Sequence, residues 1–348
     1  MGGVSKTPDR VDVLIAGGGP AGLTAALELA SSGASVLLAD ARETIGSPLR
    51  CGEVTFDDFL DMVGVEPRPE WIRKSGLRQR FVRRALFVLD RPALERDLAE
   101  IAAGRGATVR SGTAVVDVGP FDGKGRRVTL RTGREQVEVT AGCVIAADGV
   151  SSTVARLAGV DTYLHPDAVC TGLAHVMSGA RVTHLNEVFT GRLPEPVPAI
   201  PYYFWVIPHG NGQANVGLYL PGRDGARARV LLDRMLADSD AIRGGEITQT
   251  IVGVISDAPP LDRPFADGLL ITGGAARMIL PLSAGGIAPA AISGRHAART
   301  LIANRGKPAT AENLTGYREA LEPLYSSIRQ KWDLRRDLSG APRAASNA

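Results

Sequence analysis

The chain opens on two short apolar runs separated by a glycine-rich turn and an apolar, helix-length stretch. Val11-Asp-Val-Leu-Ile-Ala16 predicts a buried parallel strand, the residues from Pro20 to about Ser32 a helix, and Ser35 to Ala39 a second strand, together a βαβ unit. Pro92 opens a helix with Leu94, Leu98 and Ile101 on one face. Strand-like segments follow at Thr108 to Val118, Arg126 to Arg131 and Gln136 to Val139, and Cys143 to Ala147 reads as one more buried strand ending at Asp148-Gly149. From about residue 161 the texture changes to longer alternating runs, Ala168 to Met177, Tyr202 to Ile207, Asn215 to Leu220 and Ile247 to Ile255, which predict a mostly antiparallel sheet. His209 to Gln213 reads as a hairpin turn with a solvated histidine. Leu269 to Thr272 returns to buried-strand character, a helix follows Gly285-Gly286 to about Ala303, and Val230 to Leu236 and Glu312 to Leu338 are amphipathic and helical.

The pattern predicts an α/β protein: a discontinuous Rossmann-like nucleotide-binding domain (9–55, 88–160 and 262–305), an inserted antiparallel-sheet substrate domain (56–87 and 161–261) and a C-terminal helical segment (306–340). Composition narrows this little. Of 348 residues 41 are glycine, well above the usual share of about 7%, yet no Gly-X-Y period runs along the chain. With 44% hydrophobic and 22% charged residues, collagen-like and disordered classes are excluded. A net charge of +3 gives no reason to expect a nucleic-acid partner. Three cysteines, Cys51, Cys143 and Cys170, predict a reducing compartment and a cytoplasmic location, and no metal-ligand spacing is present.

The glycines do change the picture at one place. Gly17-Gly18-Gly19-Pro20-Ala21-Gly22 fits G-x-G-x-x-G between a predicted strand and a predicted helix. There the first glycine makes the tight turn, the second admits a pyrophosphate to the backbone, and the third lets helix pack on strand. The helix N-terminus stabilises the phosphate charge. Asp40, eighteen residues past Gly22, ends the second strand where it is placed to accept from a ribose hydroxyl. The motif alone leaves NAD and FAD both open.

Further motifs resemble those of the geranylgeranyl reductase family of flavoproteins, within the class that has a p-hydroxybenzoate-hydroxylase-like fold. Pro48-Leu49-Arg50-Cys51-Gly52-Glu53 looks like the family's P-x-R-C-G-E. Val88 to Glu95 is similar to its R-x-x-F-D segment, with Leu94 and Glu95 in place of Phe and Asp, and Ala147-Asp148-Gly149 matches a second flavin-side motif. Tyr203-Phe-Trp205-Val-Ile207-Pro208, followed by Asn215-Val-Gly217, resembles the substrate-side Y-x-W-x-F-P and V-G segments. Gly273-Gly274-Ala275-Ala276, with Pro281 and Gly285-Gly286-Ile287, resembles G-D-A-A…P…G-G-I, except that the acid expected on the flavin ribityl chain is Gly274.

The resemblance implies FAD as cofactor, held by Gly17, Gly19, Pro20, Ala21, Gly22, Asp40, Ala41, Arg42, Arg50, Cys51, Gly52, Arg91, Val115, Asp148, Gly149, Gly274, Pro281, Gly285, Gly286 and Ile287. It places Cys51 beside the reactive flavin edge. Thiols are mostly protonated at neutral pH and suit proton donation as the flavin gives a hydride; Glu53 is the competing acid. Tyr203, Trp205 and Ile207 are expected to wall an apolar substrate pocket, Tyr203 and Trp205 on one face of a strand.

No second glycine fingerprint follows a strand, so reducing equivalents are expected from NAD(P)H docking transiently, or from an electron-donor reductase or ferredoxin. The function implied is reduction of a C=C or related bond in an apolar, isoprenoid or specialised-metabolite substrate, with peripheral membrane contact. The alternative on the same fold is a monooxygenase or halogenase, because Tyr203-x-Trp205-x-Ile207-Pro208 is close to the halogenase W-x-W-x-I-P and Lys74 lies where a halogenase carries its lysine. A non-enzymatic carrier, with Gly274 as its support, is the third possibility.

Overall fold

The computed structural model describes residues 8–56, 59–77, 86–182 and 203–339, and the strands among them form three sheets. The largest has eight strands: β1 (Arg10–Ala16), β2 (Val36–Ala39), β6 (Thr108–Arg110), β7 (Thr113–Phe121), β8 (Arg126–Thr132), β9 (Glu135–Ala146), β14 (Phe265–Ala266) and β15 (Leu269–Ile271). Its main path runs β14-β15-β9-β1-β2-β6 and is parallel from β15 to β6. Leu14, Ile15, Leu37, Leu38, Val144 and Ile145 are fully buried there, as continuous apolar runs in a parallel sheet require. Helix α1 (Pro20–Ser31) packs against α6 (Ile287–Ala303) and α3 (Arg91–Gly104).

The two segments expected at Gln136 to Val139 and Cys143 to Ala147 are one strand of twelve residues. The first part of β9 pairs antiparallel with β8, and its second part pairs parallel with β1 and β15. The intervening Ala141-Gly142 is not a turn. A Cβ on Gly142 would stand 2.8 Å from the Asp12 carbonyl oxygen, so the small residues mark a close approach to β1.

A four-stranded antiparallel sheet, ordered β11-β12-β10-β13, is built from β10 (Val169–Ser178), β11 (Tyr203–Gly210), β12 (Gln213–Pro221) and β13 (Glu246–Ser256). Alternation splits its faces. Phe204, Val206, Val216, Leu218 and Leu220 pack with Leu231 and Leu232 of α5 (Ala228–Asp238), while Trp205 and Ile207 belong to the other face. The third sheet, β3-β5-β4, joins β3 (Val54–Phe56), β4 (Ile72–Leu77) and β5 (Leu86–Leu89), with α2 (Phe59–Val63) following β3 and α4 (Thr153–Leu157) following β9.

The single helix expected over Glu312 to Leu338 is two, α7 (Thr315–Ala320) and α8 (Glu322–Ser339), with the fully buried Leu321 between them. The Tyr317 hydroxyl donates to the Ile271 carbonyl at 2.9 Å, and Arg335 of α8 pairs with Asp257 just past β13. Apart from these joins and the three-stranded sheet, for which the pattern predicts no strands, the mixed α/β architecture is the one the hydrophobic pattern predicts. No helix among the described residues is long and apolar enough to cross a membrane.

Candidate active site

The cradle at the end of β1 is shaped by what its glycines leave out. Gly17 adopts φ +110°, donates its N–H to the Ala39 carbonyl at 2.8 Å, and has room for no side chain, since a Cβ would stand 2.4 Å from the Ala147 oxygen. A Cβ on Gly22 would stand 1.9 Å from the Gly17 oxygen, which is the close helix–strand packing expected of the third glycine. Gly19 differs: nothing lies within 4 Å of where its Cβ would be. It is the N-cap of α1, without a side-chain cap and with Pro20 in the first turn, so the N-terminus of the helix opens onto unfilled space. That is the geometry an anionic pyrophosphate needs.

Asp40 is committed more fully than the sequence suggests. Its Oδ2 accepts from Gly18 N–H at 2.6 Å and Arg42 Nη2 at 2.7 Å, and its Oδ1 from Arg42 N–H at 2.8 Å and Arg42 Nε at 3.0 Å. A carboxylate has about four lone-pair positions, and all are taken, so a ligand hydroxyl here competes with Arg42. Burial pushes the Asp40 carboxyl up, but the hydrogen bond and charge of Arg42, with the Gly18 N–H, hold it below the ordinary value. Arg42 continues to Glu95 through Nη1 at 3.2 Å, Arg91 pairs with the same buried Glu95, and the Arg91 backbone N–H reaches Glu53 of the Cys51 loop at 3.0 Å. Glu95 thus links the expected ribose end to the Cys51 loop. Its only signal in the sequence was its place in the segment from Val88 to Glu95.

The Cys51 loop lies flat on the four-stranded sheet. A Cβ on Gly52 would stand 3.1 Å from Ile207 Cδ1, and one on Gly217 would stand 2.4 Å from Trp205 Cζ2, so each glycine makes room for its aromatic or apolar neighbour. Trp205 Nε1 donates to Asn215 Oδ1 at 2.8 Å, and Asn215 Nδ2 donates to the Cys51 carbonyl at 3.1 Å. The Cys51 sulfur accepts the Glu53 N–H at 3.2 Å.

Glu53, at φ +65°, is fully buried, and its Oε1 accepts the Arg91 N–H at 3.0 Å. Burial raises its carboxyl to about 7, against the opposing charges of Arg73 and Arg91. His209 corrects the expectation of a solvated turn residue. It is buried with Nε2 3.1 Å from Glu53 Oε2, and burial with the nearby Arg73 lowers it to about 4. The hairpin tip is only Asn211 and Gly212, so a histidine next to a polar turn is still a strand residue facing inward.

Between this loop and the sheet is a cavity of about 320 Å³. Arg50, Cys51, Gly52 and Glu53, with the N-terminus of α6 at Gly285, Gly286 and Ile287, line one side of it. Trp205, Ile207, Tyr219 and Ile251 line the sheet side. The Tyr203 side chain lies outside the described residues, as does Tyr202.

The remaining expected cofactor residues fall elsewhere. Asp148 accepts the Val154 N–H at 2.9 Å through Oδ2, while its buried Oδ1 has no partner, and Gly149 takes φ +77°. Gly274 lies against this turn, where a Cβ would stand 3.3 Å from the Val150 nitrogen. Pro281 is buried and Ala41 exposed; Val115 is half-buried in β7, opposite Leu130 and two residues past Thr113, whose N–H donates to the Asp40 carbonyl. Lys74 sits half-buried in β4 opposite Val88 and does not line the cavity.

A family profile described as an FAD binding domain matches residues 10–211 of the 348. Cradle and cavity are those of an FAD-dependent oxidoreductase: the open N-terminus of α1 and the unpartnered Asp148 Oδ1 both fit such a cofactor. The digeranylgeranylglycerophospholipid reductase of Methanoculleus marisnigri is 33% identical over 310 residues, covering 84% of this chain and 76% of that protein. A geranylgeranyl bacteriochlorophyll reductase-like protein from Thermoplasma acidophilum superposes with a TM-score of 0.86 at 28% identity, covering 95% of this chain and 88% of that one. The chain belongs to the geranylgeranyl reductase family. Its fold alone is shared with the myxobacterial chondrochloren halogenase, at TM-score 0.71 and 18% identity over 97% of this chain and 87% of that one.

Proposed function

We propose that the protein saturates C=C bonds of an extended isoprenoid substrate. The observation that carries this reading is one cavity with the Cys51–Glu53 loop on one side and Trp205, Ile207, Tyr219 and Ile251 on the other. FAD, when bound and reduced, supplies the hydride. The chain's own residues do the rest: the sheet side excludes water and aligns an apolar chain, the Glu53 N–H holds the Cys51 sulfur, and the thiol is the proton donor. Reducing equivalents come from outside, from NAD(P)H or an electron-donor reductase. A substrate of this kind is drawn from a membrane, so we place the protein in the cytoplasm with peripheral contact to the bilayer.

Reduction is favoured over halogenation because Lys74 is held in β4, away from the cavity. The test is turnover in D2O without oxygen. A reductase delivers two solvent-derived deuteriums to each saturated bond, since the hydrogen a reduced flavin donates exchanges with solvent as the acid's proton does, and mass spectrometry reads both. A halogenated or oxygenated product, formed only in air, would sink the reading.

A further inference from the structure

Glu53 and His209 form a buried pair. Glu53 Oε2 and His209 Nε2 are both shut off from solvent, neither has a hydrogen-bond partner elsewhere, and they stand 3.1 Å apart. A bare lone pair on each would repel the other, and one proton on either atom satisfies both. The charged and titratable groups around them are Arg73 of β4, with Nε 3.6 Å from Glu53 Oε2 and Nη2 2.9 Å from Asp90, then Asp90 and Arg91 at the start of α3, and Cys51 two residues before Glu53. A Glu53 raised to about 7 and a His209 lowered to about 4 favour the proton on the carboxyl, with the imidazole as acceptor. The pair also lies between the cavity and the hairpin. Glu53 lines the cavity beside Cys51, while His209 stands one residue before Gly210, in the hairpin whose Asn211 and Gly212 are exposed.

We propose that Glu53 and His209 hold one proton between them and form the route by which the cavity wall regains a proton from solvent, with His209 acting through Glu53. The proposal rests on the reductase reading. Saturating one C=C bond adds a hydride and a proton. The proton that leaves the wall is replaced from Glu53, Glu53 takes its own from His209, and His209 takes one from water at the hairpin, so both residues end each turnover unchanged.

The first test needs neither substrate nor cofactor. Between pH 4.5 and 6.5 the folded pair holds one proton, on Glu53, and the unfolded pair also holds one, on histidine, so together they add no pH slope to stability. Glu53→Gln leaves His209 alone. Its lowered value then makes stability fall as pH drops from 6.5 towards about 4, by up to about tenfold in the folding constant per pH unit. His209→Gln leaves Glu53 alone, whose raised value gives stability in full below 4.5 and loses it as pH rises to about 7.

Urea denaturation across this range is expected to give opposite slopes in the two variants, relative to wild type, and none in the double variant. Infrared spectra at pH 6 should show a neutral-carboxyl band that disappears in Glu53→Gln and shifts in His209→Gln. Single variants that both follow wild type, or the absence of a Glu53-dependent band, would overturn the shared proton. In the FAD-loaded enzyme His209→Gln is expected to lower kcat about tenfold with KM unchanged and FAD still bound; unchanged kcat overturns the relay even where the band and slopes are found.

Discussion

Asn215 Nδ2 donates to the Cys51 carbonyl at 3.1 Å, across 164 positions of sequence. The same amide accepts the Trp205 indole N–H, so one fully buried side chain ties the cysteine loop to the aromatic wall of the cavity. Asn215→Leu removes both bonds and leaves the indole N–H without its acceptor. Such losses cost about 1–3 kcal/mol. Urea denaturation should show that loss, and turnover should fall by more than FAD affinity, because the pyrophosphate cradle lies on the other sheet and only the Cys51 loop is released. A variant as stable and active as wild type would show that the tether orders nothing.

The floor of the cavity carries a gap of a definite kind. Gly172 of β10 and Gly253 of β13 are cross-strand partners, and both line the cavity. A Cβ on Gly172 would meet nothing closer than 3.8 Å, so the position is open for a side chain. Gly172→Val should fold with little loss of stability and fill part of the floor. Steady-state rates with short and long prenyl substrates are expected to diverge, the longer chains losing roughly tenfold or more in kcat/KM, as filling a hydrophobic pocket by a few methyl groups would give. Equal effects on all chain lengths would remove the glycines from any account of specificity.

Gly274 stands where the family resemblance expects an acid on the flavin ribityl chain. Restoring it as Gly274→Asp adds one charge-assisted hydrogen bond, roughly 1.5–3 kcal/mol or ten- to a hundredfold in FAD affinity. The Cβ must fit 3.3 Å from the Val150 nitrogen, so the turn at Gly149 and Val150 has to yield by a few tenths of an ångström. Flavin fluorescence titration should show tighter binding in the variant. No gain would mean that this chain holds the ribityl group by other means.

The parts of the site that were legible in the sequence are those fixed locally. Gly17, Gly19 and Gly22 lie within six residues, and their roles follow from one strand, one turn and one helix. Trp205 and Ile207 share a face because a strand alternates, whatever surrounds it. What was not legible depends on distant chain. Glu95 acquires its meaning from Arg42 and Arg91, and Asn215 from Cys51. His209 looked solvated because its sequence neighbours are polar, while its actual neighbour is Glu53, 156 positions away. β9 reads as two strands for the same reason: Gly142 is small because the Asp12 carbonyl passes close by.

Cys51 is the group on which the proposed chemistry turns, and Cys51→Ser separates its roles. Serine keeps the loop's backbone hydrogen bond from Asn215 and leaves the cradle intact, so FAD should bind as in wild type. Its hydroxyl is a far poorer acid than a thiol, so proton delivery should slow by about a hundredfold or more. Rapid mixing would show it as slower flavin reoxidation with unchanged FAD affinity. Full turnover in this variant would pass the role of acid to Glu53.

The most direct measurement is the visible spectrum of the FAD-loaded protein, reduced chemically under strict anaerobiosis and then mixed with a polyprenyl substrate. Return of the oxidised flavin band, matched by one saturated bond per flavin, is the result expected of a reductase. Flavin that stays reduced with every polyprenyl substrate and reoxidises only when oxygen is admitted would contradict it.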